Sequence, residues 1–224
     1  RIELRPNVLR DVSDIDLRTT LFGVERAMPL VLAPTGFTRI THSEGELAVA
    51  RAAARAGLPY SLSTMSTRSI EEVAEVNDGA KWFQVYAWKD RGLVEDLVER
   101  AAASGYEALW LTVDTAVLGR RERDVRRGYT IPPKVGLDTI VDGVLHPGWT
   151  LDFLTHEPIV FSNVAGRSDE DGKDPISLAE HVMRQFDQAL SWADVDWLRS
   201  IWDGPIVLKG IQTVDDALRA VDAG

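Results

Sequence analysis

Cysteine is absent from the 224 residues, which removes disulfides, thiol nucleophiles and zinc–thiolate sites together. Positive charge is scarce as well: 25 Lys+Arg stand against 35 Asp+Glu, a formal net charge of -10. That balance disfavours nucleic acid and anionic membrane as partners, and it repels an acidic substrate at long range. An anionic substrate would therefore need a local arginine grip. No apolar run approaches transmembrane length, the charged N-terminus has no signal-peptide h-region, and no P-loop, G-x-G-x-x-G or low-complexity tract occurs. No metal site is expected, and the missing cysteine fits a cytosolic location. The first residue is Arg rather than Met, so the sequence is expected to begin inside a longer chain. What remains is 45% hydrophobic and 27% charged, the make-up of an ordinary globular protein with one substantial core.

Residues 1–27 carry a mixed, extended pattern broken by Pro6 and Asn7, which reads as a pre-domain hairpin or arm. A repeat then begins. Leu30–Ala33 is a short apolar strand stopped by Pro34-Thr35-Gly36, followed by a helix with a capping-box start at Ser43 and Glu46 and a stop at Gly57. Leu58–Leu62 is a strand closing in Ser63-Thr64, followed by a helix from Ser69 with Glu72 three residues on. Lys81–Tyr86 is a strand with Gln84 and Tyr86 near its end; the next helix places Leu93, Val94, Leu97, Val98 and Ala101 on one face. Leu109–Val113 is a strand ending near Thr112 and Asp114. After a long interruption, roughly 126–190, come a helix near Ser191–Trp202 with Asp194 completing its cap, a strand Pro205–Leu208 ending in Lys209-Gly210, and a helix capped by Thr213 and Asp216.

Strand, polar end, capped helix, glycine is a βα repeat and implies a parallel sheet. In a doubly wound sheet only one or two strand ends converge on a ligand. Polar residues at every strand end favour a TIM (β/α)8 barrel, where all ends meet at one mouth. About the first five βα units fit into residues 28–224.

Leu111–Asp124 is the densest stretch: an apolar strand runs into Thr112 and Asp114, then Gly119, then Arg120, Arg121 and Arg123 interleaved with Glu122 and Asp124. A guanidinium beyond a buried strand suits a carboxylate, which it binds through two parallel hydrogen bonds. A solvated loop whose charges pair with one another is an equally good reading of that stretch alone.

Taken together, the blocks Ala33-Pro34-Thr35-Gly36, His42-Ser43-Glu44-Gly45-Glu46, Leu62-Ser63-Thr64-Met65-Ser66-Thr67, Trp82-Phe83-Gln84-Val85-Tyr86, Leu111-Thr112-Val113-Asp114, Gly119–Asp124 and Gly204–Gly210 occur in one order from end to end. In this the chain resembles the FMN-dependent 2-hydroxy acid dehydrogenases and oxidases. Ile131-Pro132-Pro133 and His146–Trp149 make it most similar to the actinobacterial-type L-lactate dehydrogenases. The resemblance implies a TIM barrel, an FMN cofactor, and oxidation of a small L-2-hydroxy acid, best L-lactate, to the 2-keto acid. Pro34, Thr35 and Gly36 would lie beside the flavin N5. Ser63, Gln84 and Thr112 would hydrogen-bond the isoalloxazine, and Lys209 would sit near its pyrimidine edge. Tyr86 and Arg121 would bind the substrate, and Asp114 would orient the catalytic base. Gly36 leans toward a dehydrogenase, because glycolate and lactate oxidases usually carry Ala there. A homotetramer and an electron acceptor (quinone, another acceptor or oxygen) are implied too. The implied location is cytoplasmic, including a peripheral place at the inner face of the membrane, with the 126–190 segment carrying acceptor or membrane specificity.

The family's base is a His in a Ser-Asn-His-Gly-Gly-Arg segment, which these residues do not contain. His42, His146, His156 and His181 lie in loops or at a helix start and are expected to be structural or exposed. Two other classes stay open on the sequence: a non-catalytic truncated barrel acting as a binding or assembly protein, and a phosphate- or nucleotide-binding barrel of another chemistry.

Overall fold

The computed structural model describes residues 3, 5–117, 119, 122–126, 136–165 and 184–224. Its centre is a parallel sheet of β3 (Tyr60–Ser63), β4 (Lys81–Tyr86), β5 (Ala108–Thr112) and β6 (Ile206–Lys209), in that spatial order. A further position at the β3 edge is a single parallel bridge, Leu32 to Tyr60. Ahead of these strands, β1 (Thr19–Leu21) and β2 (Val24–Arg26) form an antiparallel hairpin turned by Phe22 and Gly23, both at positive φ. The hairpin docks on the start of the barrel strands: the Phe22 ring lies 5.1 Å from Trp82, and Arg26 pairs with Glu107 at 2.5 Å.

The helices between strands are α1 (Glu46–Ala56), α2 (Ile70–Val76), α3 (Arg91–Ala103) and, after the long interruption, α7 (Trp192–Ile201); α8 (Val214–Asp222) follows β6. The interruption holds a short helical turn, α4 (Glu122–Arg126), and a helical pair, α5 (Leu137–Leu145) and α6 (Pro147–Thr155). Strand neighbours follow chain order without a reversal, which is the topology of a barrel wall and not of a doubly wound sheet. The architecture is a partial α/β barrel.

Alternation along the strands divides the sheet into two faces. Leu62, Phe83, Val85, Leu109 and Leu111 point to the helix side and are fully buried there with Val94, Leu97, Val98 and Leu198. Burial of such side chains stabilises the fold by about 1.5–3 kcal/mol each. The register pairs Ser63 with Gln84, Gln84 with Trp110, Tyr86 with Thr112, and Thr112 with Lys209. These residues share the opposite, inner face, and Trp82, two residues before Gln84 on β4, packs obliquely against Trp110 with the rings 5.9 Å apart.

Three expectations change. Leu30–Ala33 contributes one bridge and no ladder, because Pro34 follows at once and its ring nitrogen has no proton to donate. Ser43 does not cap α1. Gly45 occupies the N-cap at φ 50, and Glu46 turns inward; the Ser43 amide instead donates to Asp152 at 2.8 Å. The 126–190 interruption contains the α5–α6 pair. By contrast, the caps at Ser69, Ser191 and Thr213 form: Glu72 N donates to Ser69 Oγ at 3.1 Å, Ser191 N to Asp194 Oδ2 at 2.6 Å, and Asp216 N to Thr213 Oγ1 at 3.1 Å.

Candidate active site

The C-terminal ends of the strands carry a continuous polar chain on the inner face. Ser63 Oγ donates to Gln84 Oε1 at 3.1 Å, and Gln84 Nε2 donates to Thr112 Oγ1 at 2.9 Å. All three are buried. Ser63 also accepts from the Met65 amide at 3.1 Å, and the Thr64 hydroxyl donates to the Gln84 carbonyl. The sheet therefore fixes the spacing of these groups, and each locks the rotamer of the next. Because Thr112 accepts from Gln84, its own proton is free to be donated to a ligand. Lys209 is half-buried beside Thr112, and its ammonium has neither an ion pair nor a hydrogen bond among the described residues. A half-buried ammonium at a strand end is costly unless an anionic group or water meets it.

Pro34, Thr35 and Gly36 form the lip above β3. Gly36 is closely packed there: a Cβ would come to 2.9 Å from Met65 Cβ and 3.0 Å from the Met65 carbonyl oxygen, so a larger residue would have to push the loop after β3 aside. The Phe37 amide donates to that same carbonyl at 3.0 Å, so the loops after the Leu32 position and after β3 lie back to back. The glycine thus has a packing reason of its own, separate from any preference for one electron acceptor.

Tyr86 stands half-buried at the end of β4. Its ring stacks on Trp88 (6.1 Å, 13°) and meets Phe186 edge-on at 4.9 Å. Burial raises its hydroxyl pKa, the Asp114 charge raises it further, and a hydrogen bond with Gln84 works in the opposite direction. Tyr86 is therefore a neutral donor or acceptor throughout the physiological range. Asp114 lies exposed past β5, seated directly on Gly210, where φ is +112 and a Cβ would lie 2.6 Å from the Asp114 Cγ. A cleft of about 490 Å³ opens beside it on the helix side of β5 and β6, bordered by Val117, Trp192, Val195, Gly210 and Asp216. That cleft shares only Asp114 among the expected site residues, and the polar chain faces the other way.

Arg121, the expected carboxylate ligand, lies outside the described residues, as do Arg120, Pro132, Pro133 and His181. The three described histidines are exposed and engaged locally. His42 Nδ1 accepts from the Glu44 amide, and His146 and His156 lie near the Asp142 and Asp152 carbonyls. None reaches the polar chain. One residue of the site carried no signal that sequence reasoning used: Phe186, which bridges to Trp88 across the interruption; Gly210 was read as the end of a strand, without its contact with Asp114.

The donor set fits a planar, anion-accepting ring system with several carbonyl and nitrogen acceptors. It offers a hydroxyl proton at Thr112, a cation at Lys209 and a side-chain-free lip at Gly36. Comparison with known proteins points the same way. A putative L-lactate dehydrogenase of Mycobacterium tuberculosis is 45% identical over 224 residues, covering all of this chain and 52% of its own length. An L-lactate oxidase of a Nostoc species is 46% identical over 230 residues, covering all of this chain and 57% of its own. Among solved structures, one described as monotopic membrane protein (S)-mandelate dehydrogenase superposes with a TM-score of 0.90 at 36% identity, over 99% of this chain and 58% of that one. The chain thus spans about half the length of the relatives it matches. The pattern of the FMN-dependent dehydrogenase family matches residues 1–224, and the chain belongs to that family.

Proposed function

We propose that the full-length protein is an FMN enzyme that oxidises a small L-2-hydroxy acid, L-lactate first, to the 2-keto acid. The observation that carries this reading is the Ser63–Gln84–Thr112 chain beside the free Lys209 ammonium, all at strand ends on one face. Ser63, Gln84 and Thr112 would hold the flavin ring, Lys209 its electron-rich edge, and the backbone of Pro34, Thr35 and Gly36 the side where the substrate approaches. When bound, FMN supplies the two-electron acceptor. The chain's own residues position and charge-balance. Lys209 stabilises negative charge on the group it faces. Tyr86, kept neutral and held by Trp88 and Phe186, directs a hydrogen bond at the substrate's hydroxyl or carboxylate. Arg121 grips the carboxylate as a fork, which orients the adjacent C–H bond. Asp114 orients the imidazole that takes the hydroxyl proton and stabilises its charged form.

The 2-hydroxy acid itself is chosen from the lactate-named relatives, with mandelate as the alternative favoured by the similar solved structure. Anaerobic mixing of the full-length flavoprotein with L-lactate, D-lactate or L-mandelate discriminates them. Bleaching of the flavin band by L-lactate alone is expected. Faster bleaching by L-mandelate would move the assignment to an aromatic substrate, and no bleaching by either would overturn the reading. Assembly as a homotetramer and reoxidation by quinone, another acceptor or oxygen belong to the same proposal.

We further propose a cytoplasmic, peripheral position on the membrane. No helix among the described residues is long and apolar enough to cross a bilayer. The α5–α6 pair instead exposes Ile140, Val141, Val144, Leu145, Leu151 and Leu154 on adjoining helices, and clustered exposed apolar side chains suit a membrane or protein contact. Co-flotation with phosphatidylcholine vesicles, lost on Val144→Ser with Leu145→Ser, is the expected result; flotation unchanged by those substitutions would contradict it.

A further inference from the structure

Glu46 is a carboxylate with 0% exposure at the start of α1, far from solvent and outside the proposed chemistry. Its three donors are two backbone amides and a hydroxyl. Oε1 accepts from Thr67 N at 2.8 Å and from Thr38 N at 3.4 Å; Oε2 accepts from Thr67 Oγ1 at 2.6 Å. Thr67 Oγ1 in turn accepts from the Arg39 amide at 3.3 Å. The residue before it is as specific. Gly45 sits at φ +50, and a Cβ there would meet Arg39 Cγ at 2.5 Å, so only glycine lets the 38–39 turn seat against the helix start.

Two loops converge on this one carboxylate. Thr38 and Arg39 continue from the Pro34-Thr35-Gly36 lip, and Thr67 continues from Ser63 and Thr64. Nearer the site the same loops touch through Gly36 against Met65 and through the Phe37 amide on the Met65 carbonyl. Without Glu46, the buried Thr67 amide and hydroxyl and the partly buried Thr38 amide would lose their acceptor, and the loops would lose their common anchor.

We propose that Glu46 is a positioning residue for the cofactor site: it sets the lip at Thr35 and Gly36 relative to Ser63 and the hydrogen-bonded chain behind it. The inference rests on the flavin reading above. It acts through the loop backbones and places no atom of Glu46 on a ligand.

The test uses the full-length protein as purified and as apoprotein. FMN dissociation constants are measured by quenching of flavin fluorescence, together with the visible spectrum of the bound flavin and the melting temperature of the apoprotein. Glu46→Gln keeps the volume, so the fold is retained, but it replaces one acceptor by a donor opposite the Thr67 hydroxyl. FMN affinity is expected to fall roughly tenfold, the scale of one lost charge-assisted hydrogen bond, with a shifted flavin band. Thr67→Val should do the same, Thr67→Ser should restore affinity, and the Glu46→Gln, Thr67→Val double variant should be no weaker than the worse single one. Unchanged affinity and spectrum in Glu46→Gln would overturn the proposal even if the apoprotein melts earlier, since that is the mark of a merely structural carboxylate. Strictly additive losses would overturn the shared clamp. A wild-type protein that binds no FMN would instead sink the flavin reading itself.

Discussion

Replacing Gly210 by Ala tests how tightly the ends of β5 and β6 are fitted. Two costs arise from separate geometry. At φ +112 the backbone occupies a region that L side chains rarely adopt, and holding a non-glycine residue in such a conformation costs on the order of 1–3 kcal/mol. The new Cβ would also lie 2.6 Å from Asp114 Cγ and 2.8 Å from Asp114 Cβ, well inside the roughly 3.5–4.0 Å at which carbon atoms rest; overpacking of this kind costs about 1–3 kcal/mol more. The sum, about 2–6 kcal/mol, is a large share of a domain's stability. Denaturant unfolding reads it as a lower midpoint at constant slope. A second substitution separates the two terms. Asp114→Gly removes both clashing carbons and should recover the packing part, whereas Asp114→Ala leaves Cβ at its 2.8 Å contact and should recover little. A Gly210→Ala protein within about 0.5 kcal/mol of wild type, or equal rescue by Asp114→Ala and Asp114→Gly, would refute the reasoning.

Ser69→Ala should destabilise by about 1 kcal/mol, because its hydroxyl accepts from Glu72 N in a reciprocal cap, whereas Ser43→Ala should lie within about 0.5 kcal/mol of wild type; comparable losses at both would contradict the capping assigned to α1 and α2. Two hydrogen bonds from Arg100, at 2.7 and 2.8 Å, hold the Glu71 carboxyl at about 2, below its ordinary 4.5. A depressed carboxyl stabilises the fold above its unfolded value and loses that contribution as pH falls from about 4.5 toward 2. Glu71 is 47% exposed, so solvent screening keeps the effect under about 1 kcal/mol; Glu71→Gln should flatten the acid limb of a stability–pH curve by that amount, and an unaltered limb would count against the pairing.

The repeat was legible because strand ends and helix starts obey local rules. Apolar runs stopping at Ser63, Gln84, Thr112 and Lys209 located the mouth of the sheet, and the Ser69, Asp194 and Thr213 caps located helix starts. What was not legible depends on partners distant in sequence. Ser43 and Glu46 have the spacing of a capping box, yet Glu46 is drawn away by Thr67, 21 residues on. Phe186 reaches Tyr86 only because the chain returns after the interruption, and no local pattern announces that return. Gly210 looks like an ordinary turn after a strand until Asp114 is seen lying on it. The α5–α6 pair was masked by prolines and by Gly143, although Ile140, Val141, Val144 and Leu145 recur at helical spacing; their exposure, not their periodicity, is the informative feature.

The claim on which the rest depends is that the Ser63–Gln84–Thr112 chain grips the flavin, and an FMN titration of full-length apoprotein, wild type against Gln84→Leu, tests it most directly. Leu keeps approximate volume but strands the Ser63 and Thr112 hydroxyls, so affinity is predicted to fall roughly tenfold to a hundredfold. Equal affinity in the two proteins would contradict the assignment of this chain to the cofactor.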